Sequence, residues 1–167
     1  MFHKILDKLD QHLHFDRVDA HCDIPCGIYD PHHALIGALT VIRMVDLIDE
    51  VVKTHDQIEI AEFTNHMARY IAVKEEHAEL VKNEIRVIWG DFIKEKHLED
   101  YPQLHGLVHK IMALGSKSRQ TVDRETALAL LEAVNEFAEI FWQIKGIDTQ
   151  RVSAPYSVKE EMVLPKL

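Results

Sequence analysis

Six apolar residues near the C-terminal end, Ala127, Leu130, Val134, Phe137, Phe141 and Ile144, recur with 3-4-3-4-3 spacing. That period places them on one face of a helix and leaves the opposite face to charge. The pattern repeats along the chain. Ala34, Ala38, Val41, Val45, Ile48 and Val52 follow 4-3-4-3-4 spacing, with Asp30 as a cap and Pro31 suited to a first turn. A long segment over about 57–96 carries Ile60, Phe63, Met67 and Ile71, then Ala78, Val81, Ile85, Ile88 and Phe92, with Asp56 offered as its cap. A third helix is predicted from near Pro102 through Leu104, Leu107, Ile111 and Leu114, closed by Gly115; Ser116–Val122 reads as a polar loop. The last helix stops at Lys145-Gly146. Four such helices on short loops bury their stripes most economically in an antiparallel four-helix bundle, an all-α fold over 32–146.

The two ends fit this pattern less well. Met1–Ala20 has a weak stripe (Phe2, Ile5, Leu6, Leu9, Leu13) and reads as a short surface helix. Its charges leave no uncharged run of secretory-signal length, which favours the cytoplasm. The tail, 147–167, contains Pro155 and Pro165 and no clear period. It reads as a disordered end or an arm lying on a neighbour.

Composition removes several function classes. Twenty-eight acids against 19 bases give a net charge of −9, and no basic stretch tracks a phosphate backbone, so nucleic acid is not an expected partner. No apolar run is long enough to span a membrane. Two cysteines cannot staple 167 residues, and in a reducing compartment a close pair turns toward metal or redox chemistry.

A helical bundle invites a di-iron reading, which requires Glu-x-x-His pairs. Phe63, Lys74, Pro102 and Gly106 stand three residues before His66, His77, His105 and His109, so that site is absent. His105 and His109 share a helix face, but with 12 histidines in the chain an i, i+4 pair is expected by chance. His32-His33 and His12-x-His14 read as solvated.

The segment His21-Cys22-Asp23-Ile24-Pro25-Cys26-Gly27-Ile28-Tyr29-Asp30-Pro31 is different. It concentrates an imidazole, both thiols, two prolines, a glycine and a tyrosine just before a helix start. Cys-x-x-x-Cys alone leaves a metal site, a reactive thiol pair and a local disulfide all open. A tetrahedral zinc site would want two further ligands, and there is no second cysteine pair.

This segment resembles the nickel-binding hook of nickel-containing superoxide dismutases, whose mature chain begins at the histidine and continues as a four-helix bundle. Val87–Lys94, Tyr101–His105 and Ile140–Lys145 resemble later helices of that family in the same order, so the likeness spans about residues 21–146. The resemblance implies conversion of superoxide to dioxygen and hydrogen peroxide with one nickel ion per subunit. It also implies a ligand set: the amine and imidazole of His21, the amide nitrogen and thiolate of Cys22, and the thiolate of Cys26. Thiolates and an amidate donate strongly enough to bring nickel(II) into reach of one-electron oxidation, in the square-planar geometry it favours. An amine at His21 exists only if residues 1–20 are a propeptide removed by a protease after Ala20.

Other hook positions take roles from the same likeness. Ile24-Pro25 matches the family's cis peptide, and Gly27 allows close backbone approach. Tyr29 stands over the open metal face, where it orders water, restricts entry and assists proton delivery. Asp23 braces the hook and presents its backbone N–H to substrate. Gly37 and His77 occupy the positions where relatives bring a glutamate and an arginine to the axial histidine, a departure that bears on how the His21 ring is held. Lys94 and Lys96 are candidates for focusing the field on an anionic substrate. A homohexamer covering the hooks is also implied. The rival readings are a helical thiol or metal-binding sensor or storage protein, and an interaction scaffold.

Overall fold

The computed structural model describes residues 27–167. Four long helices form the bundle: α1 (His32–Lys53), α2 (Ile60–Val87), α4 (Leu104–Gln120) and α5 (Arg124–Ile144), with a short α3 (Glu95–Asp100) between the second and third. α1 packs on α2 and α5, and α4 packs on the same two, closing an antiparallel square. The expected all-α bundle is present.

The helix limits follow local chemistry. The Asp30 carboxylate accepts from the His32 N–H at 2.8 Å, and Pro31 sits in the first turn, as its missing donor allows. Asp123 caps α5 by accepting from the N–H groups of Glu125 and Thr126. Gly146 ends α5 at φ +71, in the left-handed region that glycine tolerates best.

Several expectations need correction. Asp56 lies in a short 3-10 turn, His55–Gln57, and α2 starts after Glu59 instead. The segment 57–96 is not one helix: a π-helical turn, Ile88–Phe92, follows α2 and the backbone turns extended at Ile93. Gly115 does not close α4, which continues to Gln120, so only 121–122 are left of the predicted loop. A Cβ on Gly115 would lie 2.8 Å from Lys82 Cγ; the glycine serves helix–helix approach, not termination.

The tail is neither disordered nor an arm on a neighbour. It forms an antiparallel hairpin, β1 (Thr149–Ser153) with β2 (Glu161–Pro165), folded onto α5 of its own chain. Ala154, Val158, Met162 and Val163 join the core. Asn135, 1% exposed on α5, donates to the Glu161 carbonyl at 3.0 Å and accepts from the Val163 N–H at 2.9 Å, so its buried amide is matched to strand backbone. Arg151 holds Glu132 through two bonds and Glu139 through a third. Arg124 links Asp46 on α1 to Glu160 in the hairpin loop.

The bundle is deepest between its ends. Lys74, 2% exposed, donates from Nζ to the carbonyls of Ser118, Arg119 and Thr121 at 2.5, 2.8 and 3.0 Å, closing the C-terminus of α4. α4 therefore ends beside Lys74, while α5 begins beside Asp46. Beyond that level the first two helices continue as a projecting pair. Ile60 is 75% and Ile71 37% exposed there, against the sequence expectation that both are core. Val52 is also exposed, while Val51 beside it is buried.

Candidate metal centre

His21, Cys22, Asp23 and Cys26, together with the Ile24-Pro25 bond, lie outside the described residues, as does the leader. The structure instead shows where the hook is anchored and what it meets. Gly27 leaves the hook at φ +83, a conformation that a side chain would strain. Ile28 is 82% exposed; Tyr29 turns inward and is 8% exposed; Asp30 then caps α1. Two residues convert a surface loop into an anchored helix.

The anchor is aromatic. The Tyr29 ring lies 5.7 Å from Phe92, which lies 4.9 Å from Phe141, which in turn meets Trp142 edge-on at 5.0 Å. Phe92 closes the π-helical turn, where the Ile93 N–H bonds the Ile88 carbonyl at 3.2 Å. The π-helical turn carries Phe92 against the Tyr29 ring, a use of π-turns common at functional sites. Lys145, at the end of α5, donates to the Tyr29 carbonyl at 3.3 Å and rests its ammonium 5.0–5.8 Å from the centroids of Phe92, Phe141 and Trp142.

A depression of about 330 Å³ opens beside this anchor, walled by Ile28, Tyr29, Asp30, the His32-His33 pair, Glu84 and Val87 of α2, and Ile88 of the π-helical turn. His33 Nδ1 is 3.9 Å from a Glu84 carboxylate oxygen. The hollow is small, and its lining mixes apolar side chains with two imidazoles and two carboxylates.

The remaining candidates separate clearly. Lys94 donates to the Asp91 carbonyl at 2.7 Å, which engages its ammonium locally, and Lys96 is exposed on α3. His105 meets Trp89 edge-on at 5.5 Å, and His109 is exposed. Among the described residues no three His, Cys, Asp or Glu side chains form a metal-holding group. Gly37 and His77 do come together: a Cβ on Gly37 would lie 3.2 Å from the His77 carbonyl and 2.9 Å from Val81 Cγ2. The helices are therefore packed too closely for a glutamate at 37. The His77 ring turns back on its own helix, with Nδ1 2.9 Å from the Val73 carbonyl. The sequence reading missed Lys145 as a site residue and read it only as a helix end. A cation one turn after a Phe-Trp pair, at a helix C-terminus, was the available signal.

Comparisons with known proteins point to one family. The family model for nickel-containing superoxide dismutase matches residues 16–145. Superoxide dismutase [Ni] of Streptomyces seoulensis is 35% identical over 129 residues, 77% of this chain and 91% of that protein. The Streptomyces coelicolor enzyme is 34% identical over 128 residues, 77% of this chain and 90% of its own length. Among solved structures, native nickel superoxide dismutase superposes with TM-score 0.62 at 33% identity, covering 75% of this chain and 99% of that one. A structure with nickel ligation of the oxidised state gives 0.64 at 32%, with the same coverage. The chain belongs to the nickel-containing superoxide dismutase family.

Proposed function

We propose that the protein dismutes superoxide to dioxygen and hydrogen peroxide after its leader is cut between Ala20 and His21, with nickel held by the His21 amine, the Cys22 amide nitrogen and thiolate, and the Cys26 thiolate. The observation that carries this reading is the eleven-residue His21–Pro31 stretch, the only source of thiols in the chain, joined through a left-handed glycine to a fixed aromatic floor. The donor set fits: two soft thiolates with nitrogen donors suit square-planar nickel(II). When bound, nickel supplies one-electron cycling between two oxidation states at a potential between the two half-reactions of superoxide.

The chain's own residues do the rest. His21 gains a basic amine only when the preceding peptide bond is broken, and that amine would then hold the metal together with the adjacent Cys22 amide nitrogen. Gly27 and the Tyr29 anchor set where the segment carrying Cys22 and Cys26 joins the bundle. Tyr29, held by Phe92 and Lys145, lines the hollow through which a small anion and water reach the loop; its hydroxyl orders water and helps deliver the protons peroxide requires. Asp23 braces the hook and presents its N–H toward substrate. His77, with Nδ1 committed to the Val73 carbonyl, keeps Nε2 as an acceptor for the His21 ring, the role that Gly37 is unable to fill. Lysines 94, 96 and 145 offset the −9 net charge locally and steer the anion, an effect that salt screens.

A homohexamer covers the hooks, and the exposed apolar turns of α2 support association between copies. A charged leader with no uncharged run of signal length favours the cytoplasm, with a processing protease as partner. Cys22→Ser and Cys26→Ser test the ligand set. Each variant is expected to lose both nickel and superoxide turnover while keeping its helical content. Turnover surviving in either folded variant overturns the assignment.

A further inference from the structure

Above the α1 surface runs an apolar groove that the metal centre does not use, with a volume of about 250 Å³. Ile36, Leu39, Thr40 and Arg43 form one wall at i, i+3, i+4 and i+7 along α1; Tyr156 and Val158, from the loop joining β1 to β2, form the other. Thr40 turns its hydroxyl onto the Ile36 carbonyl at 2.8 Å, so it offers the groove its methyl. Tyr156 is 46% exposed, a large ring at the lip with nothing stacked on it among the described residues. At the far end the Arg43 guanidinium is half-exposed and 3.4 Å from Glu50.

We propose that the leader occupies this groove, laying Phe2, Ile5, Leu6 and Leu9 between α1 and the hairpin loop before it is removed. Three observations favour this occupant over another chain. The leader repeats the wall's own i, i+3, i+4, i+7 spacing in Phe2, Ile5, Leu6 and Leu9, so one short helix matches the groove's length. The tether reaches easily. Seventeen residues separate Leu9 from Gly27, about 56 Å when extended, while Arg43 lies about 17 Å along the helix from His32. A tether of that length holds the leader at roughly millimolar effective concentration, so even a weak apolar contact is occupied. Asp7 and Asp10 balance Lys4 and Lys8 beside the stripe, so the segment's charge does not oppose docking near Arg43.

The fourth argument is co-occurrence. The family match covers 16–145, so both the hairpin that builds half the groove and the segment that would fill it lie outside the family's common body. A docked leader also fixes the direction from which the Ala20-His21 bond leaves the bundle.

The test uses the intact full-length chain, its mass checked beforehand, with the photo-reactive residue p-benzoylphenylalanine at Leu6. Irradiation at low concentration is expected to give intramolecular adducts mapping to residues 36–43 or 155–158. Adducts on the exposed α2 turns at 60–71, adducts only between chains, or no adduct overturns the proposal. In parallel, Leu6→Asp with Leu9→Asp in the full chain is expected to speed amide exchange in 156–158 by about tenfold or more. Unchanged exchange there overturns it as well. Neither readout needs nickel or turnover, so failure here leaves the dismutase assignment standing.

Discussion

Replacing Lys145 with methionine removes one ammonium from beneath the hook while keeping most of the side-chain length. The structure gives the loss two parts. One is the bond to the Tyr29 carbonyl, long at 3.3 Å; a charged hydrogen bond is worth about 1.5–3 kcal/mol when short, and this one about 1. The other is contact with three aromatic rings at 5.0–5.8 Å, worth about 0.5–1 kcal/mol in total at an exposed residue. The methionine thioether regains part of the ring contact. The net expectation is a loss of about 1–2 kcal/mol in urea unfolding followed by circular dichroism at fixed protein concentration. Because the lost bond lies at Tyr29, the change is expected to be local as well. Amide exchange at residues 28–30 accelerates, and superoxide turnover per bound nickel falls, while nickel content stays near one per chain. Stability within about 0.5 kcal/mol of the parent, together with unchanged turnover per nickel, refutes the idea that Lys145 fastens the hook.

Two further outcomes follow from groups away from the hook. Lys74→Met leaves the buried Ser118 carbonyl without its donor, while those of Arg119 and Thr121 reach water. The expected cost is about 2–4 kcal/mol in the same urea assay, and a loss below about 0.5 contradicts the capping role. Asp123 has its pKa lowered by the Thr126 hydroxyl bond and by the Glu125 and Thr126 N–H groups. A depressed carboxylate contributes stability above its unfolded value of about 3.9 and loses it as pH falls through the lower folded value. Asp123→Ala is therefore less stable than the parent at pH 7, with the gap narrowing below about pH 4; a gap that widens with acid contradicts the reasoning.

The parts legible in the sequence were those set by local chemistry. Asp30-Pro31 marked the start of α1 and Lys145-Gly146 the end of α5, since a cap, a first-turn proline and a left-handed glycine act through their own backbone. The stripe Ala127–Ile144 was readable because α5 packs along its whole length. Long-range packing was not readable. Gly115 looks like a stop, yet it lets Lys82 approach, and Ile60 and Ile71 look like core because nothing local says α4 ends beside Lys74. The hairpin was hidden because Met162 and Val163 are both buried in succession, which breaks strand alternation. At the site, the hook was legible because its chemistry is packed into eleven residues. Phe92 and Lys145 reach it only through a π-helical turn and the end of another helix, and no spacing encodes that convergence.

The claim at the centre is that the nitrogen of His21, freed as an amine, shares one nickel with the sulfurs of Cys22 and Cys26. Intact mass and metal analysis on the same sample of active protein test it most directly. The account predicts a chain beginning at His21 and carrying one nickel ion. Active protein that still begins at Met1, or that turns over superoxide with another metal in place of nickel, contradicts it.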